Sequence, residues 1–174
     1  MNYEIFGGFK IPRKPNKRSI VDTRDRYDFW HEVQAAKTGL PWARGCYVFA
    51  LRMRGGALIP WYVGKTCRQG FMHECFESHK LVHYNEVIAS SAGVPLLYFI
   101  ARTTPGGKFK TTLSSRESTY LETLLIGMGL QRNPHLKNVS GTKFLKELHV
   151  PGLVNSRKTP RRGPASEIVS MFDP

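Results

Sequence analysis

Two short apolar runs on either side of a glycine pair constrain the fold of this chain more than any other feature. The runs, 46–51 and 59–63, alternate between the two faces of an extended strand and contain β-prone aromatic residues. Gly55-Gly56 lies between them and supplies the permissive backbone of a tight loop. The pattern predicts an antiparallel hairpin that carries Tyr47 and Tyr62 on neighbouring strands. A glycine follows Tyr62, and we expect it to leave the end of the hairpin open to a ligand.

The length and composition indicate a globular protein. A chain of 174 residues suits one domain with extensions, and 41% hydrophobic with 11% aromatic residues argues against disorder. We find no stretch of membrane-spanning length, no secretory signal pattern at the N-terminus, and three cysteines without a CxxC pair. The expectation is therefore a soluble cytoplasmic protein with no membrane partner and no disulfide framework.

The charge balance is the strongest clue in the composition. A formal net charge of +13 attracts polyanions, of which nucleic acid is the commonest soluble one. Charge alone does not distinguish DNA, RNA, ribosomes and acidic proteins. It favours a nucleic-acid partner.

The order of the predicted elements indicates an α+β fold, with a small central antiparallel three-stranded sheet flanked by helices. Residues 1–43 are interpreted as a basic N-terminal arm (1–20) and a helix, 44–140 as the central domain, and 141–174 as a C-terminal extension with a basic segment. The predicted elements are a helix from 22 to 37, the hairpin, helical segments over 70–78 and 81–90, a central strand over 96–100, a helix over 114–128, and short helices over 143–148 and 165–171.

The helix over 114–128 has the clearest sequence signature. Ser114 and Glu117 form a capping-box pattern, so Glu117 is interpreted as a capping carboxylate. The predicted apolar stripe consists of Leu121, Leu124, Leu125 and Met128. Two glycines, Gly127 and Gly129, are expected to mark the end of the helix.

Four segments in this order carry a family resemblance. They are Gly45-Cys46-Tyr47, then Tyr62-Val63-Gly64 with Lys65, then the helical stretch 121–126 with Glu122, and finally 133–138, which runs Asn-Pro-His-Leu-Lys-Asn. In this order and spacing the chain resembles the GIY-YIG nuclease superfamily over about residues 44 to 140. Each motif is weak alone, and the combination is fairly specific.

The resemblance implies a divalent-metal-dependent endonuclease that hydrolyses phosphodiester bonds, most readily in DNA. By this analogy Tyr47 activates the attacking water, Tyr62 orients phosphate oxygens, and Lys65 adds positive charge at the phosphate or lowers a tyrosine pKa. Glu122 holds a single Mg²⁺ or Mn²⁺ ion. Such chemistry needs an activated water and stabilisation of charge on phosphate oxygens, which these residue types can supply.

One position departs from the family pattern. Members carry a phosphate-binding arginine on the helix after the second motif, and Glu74 stands at the matching position here. Positive charge could come instead from Arg68, His73 or Lys80, or Glu74 could join Glu122 as a second metal ligand. The alternative function is a catalytically degenerate nucleic-acid-binding module of the same fold.

Simpler structural readings of the same residues stay open. Tyr47 and Tyr62 could be ordinary amphipathic strand residues, and Asn138 could be a turn residue. Glu122, expected to be partly covered, could pair with Arg116 or a tyrosine hydroxyl instead of a metal. A further alternative is a zinc site, whose candidate ligands are Cys67, His73, Cys75 and His79.

Overall fold

The computed structural model describes residues 1–13, 23–138, 142–147 and 163–172. The strands are β1 (Asn2–Lys10), β2 (Gly45–Arg52), β3 (Leu58–Thr66) and β4 (Val94–Thr103). The helices are α1 (Thr23–Ala36), α2 (Phe71–Glu74), α3 (Ser78–Ser90), α4 (Ser115–Arg132), α5 (Thr142–Glu147) and α6 (Pro164–Phe172), and a 3₁₀ turn covers Leu40–Trp42. The basic stretches 14–18 and 157–162 lie outside the described residues.

The mixed α+β class is confirmed, but the expected three-stranded sheet is wrong, because the sheet has four strands in the order β1-β4-β2-β3. All neighbours are antiparallel, and β1 pairs with β4 from Asn2↔Thr103 to Lys10↔Leu96. The interpretation of 1–20 as an irregular arm therefore fails for its first half. The strand was missed for two reasons. A register shift between Gly7 and Phe9 interrupts its alternation. In addition, the arm was inferred from basic residues that begin only at Lys10, the last residue of the strand.

The predicted hairpin is confirmed as β2 and β3. Its loop is closed by a hydrogen bond from the Met53 N–H to the Ala57 carbonyl, and Gly56 adopts φ of 83°. Because Tyr47 pairs with Gly64 and Phe49 with Tyr62, both tyrosines stand on one face of the sheet. Lys65 pairs with Cys46 and stands on the other face.

The larger core lies on the tyrosine face, where α1, α2 and α3 cover the sheet. Helix α1 contributes Phe29, whose ring is 5.2 Å from that of Phe76, and β1 contributes Phe9, whose ring is 5.7 Å from that of Phe99. The single helix predicted over 70–78 is a four-residue helix followed by a break, and α3 starts earlier than expected, at Ser78. The first strand and helix are thus part of the same hydrophobic core as the hairpin.

Helix α4 covers the opposite face and differs from its prediction in length and in orientation. It continues through both glycines to Arg132, and Gly129 is buried against Leu136. The expected stripe is wrong for Leu124 and Met128, which are 61% and 60% exposed, whereas Leu121 and Leu125 are partly buried and Leu125 packs on the smaller core. Four other α4 residues are buried: Ser118, Ile126, Gly129 and Leu130. The spacing of apolar residues did not predict the buried face of α4, because the side toward the sheet also carries polar residues that pair with strand side chains.

The remaining predicted elements agree with the structure. The strand expected over 96–100 is β4, which extends further at both ends and lies in the interior of the sheet, and the two C-terminal helices are α5 and α6. None of the described helices combines the length and apolar character that a membrane span requires.

Candidate functional site

The two predicted tyrosines lie side by side, with ring centroids 6.3 Å apart. The Tyr47 ring passes directly over Gly64, where an added Cβ would overlap its Cζ and hydroxyl oxygen. Gly64 therefore makes room for Tyr47. The expectation that this glycine opens the strand end to a ligand is wrong in this respect, because a protein side chain fills the space.

Tyr47 is fully buried, between β3 and the Phe71 ring, 6.4 Å away. Its hydroxyl is buried and makes no hydrogen bond of good geometry with any described residue. Burial, followed by the neighbouring Tyr84, raises the pKa of Tyr47 well above its ordinary value. At neutral pH this side chain is a neutral phenol without access to solvent.

Tyr62 is half-buried and is the more accessible tyrosine of the pair. Its ring stacks on His83 of α3, with centroids 5.7 Å apart. Burial raises the pKa of Tyr62 to about 12, and the negative charge of Glu122 adds to that effect. Tyr62 therefore acts as a hydrogen-bond donor near neutral pH, on the face of the sheet opposite to α4.

Lys65 and Glu122 meet on the α4 face, with the ammonium 2.8 Å from the carboxylate oxygen Oε2. The ammonium also lies 2.9 Å from the Thr119 hydroxyl oxygen. The two charged side chains are 29% and 21% exposed, so the pair is partly accessible. Lys65, and neither Arg116 nor a tyrosine, is thus the partner of Glu122.

Cys46 lies under this pair and is fully buried. Its thiol points toward the Ser118 carbonyl at 3.7 Å, and burial raises its pKa to about 12, with a contribution from Glu122. The thiol stays protonated, which leaves Glu122 as the acceptor that can bind a cation here.

The Lys65–Glu122 pair offers a metal ion one carboxylate, that of Glu122. Among the described residues there is no cluster of three or more His, Cys, Asp or Glu side chains that could hold an ion. Mg²⁺ commonly uses one or two carboxylates together with waters and substrate phosphates. The partly exposed Glu122 fits that mode of binding, whereas Glu74 is engaged elsewhere and does not join it.

Glu74 belongs to a buried ion network centred on Lys80. The Lys80 ammonium contacts the Glu74 carboxylate, donates to the Glu74 carbonyl at 2.9 Å and lies 3.0 Å from Glu77 Oε2. Lys80 is only 3% exposed, and its ammonium stands 6.0 Å from the centre of the Tyr47 ring. Lys80 is therefore a buried charge next to the Tyr47 ring. Its ammonium does not reach the surface, as contact with a phosphate would require.

The same network reaches the loop after β3. The Gln69 side-chain amide donates to Glu74 at 3.0 Å and to Glu77 at 3.1 Å, and the Thr66 hydroxyl contacts the Gln69 carbonyl. A groove of about 350 Å³ runs along this loop, lined by residues 65–69 and Glu74. Arg68 is exposed on the groove.

His73 is exposed on α2, whereas Cys75 is fully buried in the larger core. The residues of the proposed zinc site are therefore not brought together, and Cys75 packs as a small apolar side chain.

Asn138 is ordered by β3 and is not a simple turn residue. Its amide accepts a hydrogen bond from the Val63 N–H at 2.9 Å and donates to the Val63 carbonyl at 2.6 Å. Asn133 donates to the Pro60 carbonyl at 2.8 Å, and the Lys137 N–H donates to the Trp61 carbonyl at 2.8 Å. The 133–138 segment thus holds the free edge of the strand that bears Tyr62.

Glu117 has a different role from the predicted helix cap. Its carboxylate lies 2.6 Å from Arg102 Nε and accepts a hydrogen bond from the Tyr3 hydroxyl at 2.8 Å. Ser114 makes no side-chain cap. This cluster, which sequence reasoning missed, joins α4 to β1 and β4. No local pattern marks it, because its members are far apart in the chain.

Comparison of the chain with families of known proteins, with characterised proteins and with solved structures finds no match.

Proposed function

We propose that this protein is a divalent-metal-dependent endonuclease that hydrolyses phosphodiester bonds in nucleic acid, most readily in DNA, through a site of the GIY-YIG type. The observation that carries the proposal is the partly exposed Lys65–Glu122 pair at the end of β3, the strand that bears the half-buried Tyr62 on its other face. The excess of positive charge supports a nucleic-acid partner, and we expect the protein to act in the cytoplasm.

Glu122 is the residue that would hold the Mg²⁺ or Mn²⁺ ion. A bound cation would stabilise the negative charge that develops on the leaving oxygen. Lys65 would then be released from Glu122 and would neutralise a phosphate oxygen, as would Arg68 from the groove. Both side chains belong to the same short stretch at the end of β3, so one phosphate can meet both charges.

Tyr62 would donate a hydrogen bond to a phosphate oxygen or to the attacking water, which its raised pKa favours. Activation of the water by Tyr47 requires loss of its proton and contact with solvent, and burial opposes both. We therefore assign to Tyr47 the role of positioning Tyr62. The Lys80 network in turn holds the Tyr47 ring in place.

The test is cleavage of DNA and RNA by the purified protein with Mg²⁺ or Mn²⁺. Glu122→Ala should lower the rate by about 100-fold or more, since it removes the metal ligand, and EDTA should stop cleavage by the wild type. Glu86→Ala is the matched control, because Glu86 also pairs with a lysine, Lys137, at 3.0 Å on the surface. Equal cleavage by wild type and Glu122→Ala would refute the proposal.

A catalytically degenerate binding module is the second candidate. The burial of Tyr47 and of Lys80 favours it, because neither side chain can reach a phosphate in this arrangement. Salt-sensitive binding of nucleic acid without metal-dependent cleavage would identify this function.

A further inference from the structure

The segment after β4 forms a tight turn that projects from one end of the sheet. The Thr104 N–H donates to the Lys108 carbonyl at 2.8 Å, and the Lys110 N–H donates to the Arg102 carbonyl at 3.0 Å. Phe109 pairs with Thr103, and its ring lies 5.7 Å from that of Phe6. These contacts hold residues 102–110 as a continuation of the sheet.

The contacts of this turn determine which way its two lysines face. Phe109 packs against the larger core, on the face covered by α1 to α3. In an extended chain, the neighbours of such a residue point to the opposite face. Lys108 and Lys110 therefore face the α4 side, as does Arg102, which pairs with Glu117 of α4. Both lysines are exposed.

The turn lies at the same end of the sheet as the Lys65–Glu122 pair. Ala101 of β4 pairs with Gly45 of β2, and Gly45 pairs with Thr66 of β3. These three residues form one row, and the turn begins directly after it. Strand β4 is two interstrand spacings, about 10 Å, from β3.

Glu4 pairs with Ala101 on the larger-core face, and its carboxylate lies 3.5 Å from where a Cβ of Gly107 would stand. On the α4 face of this end the local charge is positive. Glu117 and Glu122 are neutralised by Arg102 and Lys65. Lys108 and Lys110, and also Arg116 at the exposed start of α4, form no ion pair within the part of the chain that the structure describes. The Arg116 guanidinium lies 5.6 Å from the Tyr120 ring centre, which leaves its donors available.

We propose that Lys108, Lys110 and Arg116 form a phosphate-binding surface that holds the nucleic-acid backbone beside the Lys65–Glu122 pair. This inference rests on the nucleic-acid partner of the proposed function and adds where the strand lies. Lysine and arginine side chains that contact phosphates fix the position of the backbone and carry no sequence information themselves. Each contact releases counterions, so binding through this surface falls with salt.

The experiment compares two double variants in EDTA, where cleavage does not occur. Lys108→Ala/Lys110→Ala removes two exposed charges from the turn, and Arg52→Ala/Arg54→Ala removes two exposed charges from the hairpin tip at the other end of the sheet. Both lower the net charge equally, so long-range attraction changes by the same amount. Affinity for a labelled DNA duplex is measured over about 50 to 200 mM salt.

The turn variant should reduce the slope of log affinity against log salt by about 1.8 for duplex DNA, or about 1.4 for a single strand. Arg116→Ala should reduce the duplex slope by a further 0.9 or so when added to it. The hairpin-tip variant should leave the slope unchanged. Lys108→Arg/Lys110→Arg should bind as the wild type does, which separates loss of charge from loss of folding.

Three outcomes would overturn the inference: no nucleic-acid binding by the wild type, an unchanged slope for the turn variant, or an equal loss for both double variants. An unchanged slope alongside metal-dependent, Glu122-dependent cleavage would leave the proposed function intact. The expected slopes together with Glu122-independent cleavage would refute the nuclease site and keep the binding surface.

Discussion

At the scale of single residues, the packing of Tyr47 on Gly64 organises the tyrosine pair. The Tyr47 ring occupies the space that any side chain at position 64 would need. The ring centre is also 6.0 Å from the Lys80 ammonium. A glycine in a strand usually weakens the strand, so its presence here follows from the close approach of this ring.

Gly64→Ala should destabilise the protein by about 3 kcal/mol, because the added methyl group must displace a buried ring in a well-packed core. Gly127→Ala is the control: nothing lies within 4 Å of a Cβ at that helical position, so this change should stabilise by up to about 1 kcal/mol. Urea unfolding measures both. Equal stability of the Gly64 variant and the wild type would show that the ring moves aside freely.

The buried Lys80 is the second residue of this kind, because it determines the charge state and the pairing of the carboxylates around it. The hydrogen bond from Lys80 lowers the pKa of Glu77, so this contact favours the charged carboxylate. Removing Lys80 would leave Glu74 and Glu77 without their shared cation, which costs more than the network itself contributes. Glu74 in place of an arginine is therefore part of a unit in which one buried lysine, Lys80, pairs with two carboxylates.

At the scale of elements, the 133–138 segment completes the exposed edge of β3. An edge strand presents unpaired N–H and carbonyl groups that can pair with other chains. Asn138 satisfies both backbone groups of Val63, and Asn133 and Lys137 satisfy two carbonyls before it. The hydrogen bonds from this loop thus replace those that a fifth strand would make, and they fix the position of Tyr62.

Asn138→Ala should cost about 3 kcal/mol in the free energy of unfolding, because it leaves a buried N–H and a buried carbonyl of Val63 without partners. His135→Ala, at an exposed position of the same loop, should change it by less than about 0.5 kcal/mol. Hydrogen exchange at the Val63 amide reports the edge directly. Unchanged protection of this amide in the Asn138 variant would contradict the edge role.

At the scale of the whole molecule, the N-terminal strand and helix complete a core that the hairpin cannot bury alone. Phe9 of β1 and Trp30 of α1 both pack on Phe99 of β4, with ring centroids 5.7 and 5.8 Å apart. Without them, one side of β4 would lose its pairing strand and part of the larger core would face water. Stability is therefore shared between residues 1–43 and residues 44–140.

A fragment of residues 44–140 should not fold cooperatively, whereas the full chain should. Exposure of β4 and of the aromatic core removes more apolar burial than a domain of this size can lose. Circular dichroism and thermal unfolding of the fragment and of the full chain make the comparison. A sharp unfolding transition of the fragment would show that residues 1–43 are dispensable for folding.

The sequence by itself determined the hairpin, the existence of α4 and the proximity of Tyr47 to Tyr62. Those features depend on strand alternation, a glycine-rich loop and helical spacing, which act over a few residues. The same local rules misjudged β1, whose bulge breaks the alternation, and the buried face of α4, whose polar residues find partners on strands far away in the chain.

Only the tertiary structure decided the partners of the charged residues. Lys65 and Glu122 are 57 residues apart and meet because α4 packs on β3, whereas Lys80 reaches Glu74 over six residues, across the break between α2 and α3. The same holds for the burial of Tyr47, which depends on what packs over the hairpin. Sequence patterns identify which residues can bear charge and line strands, whereas long-range packing decides which of them reach solvent and a ligand.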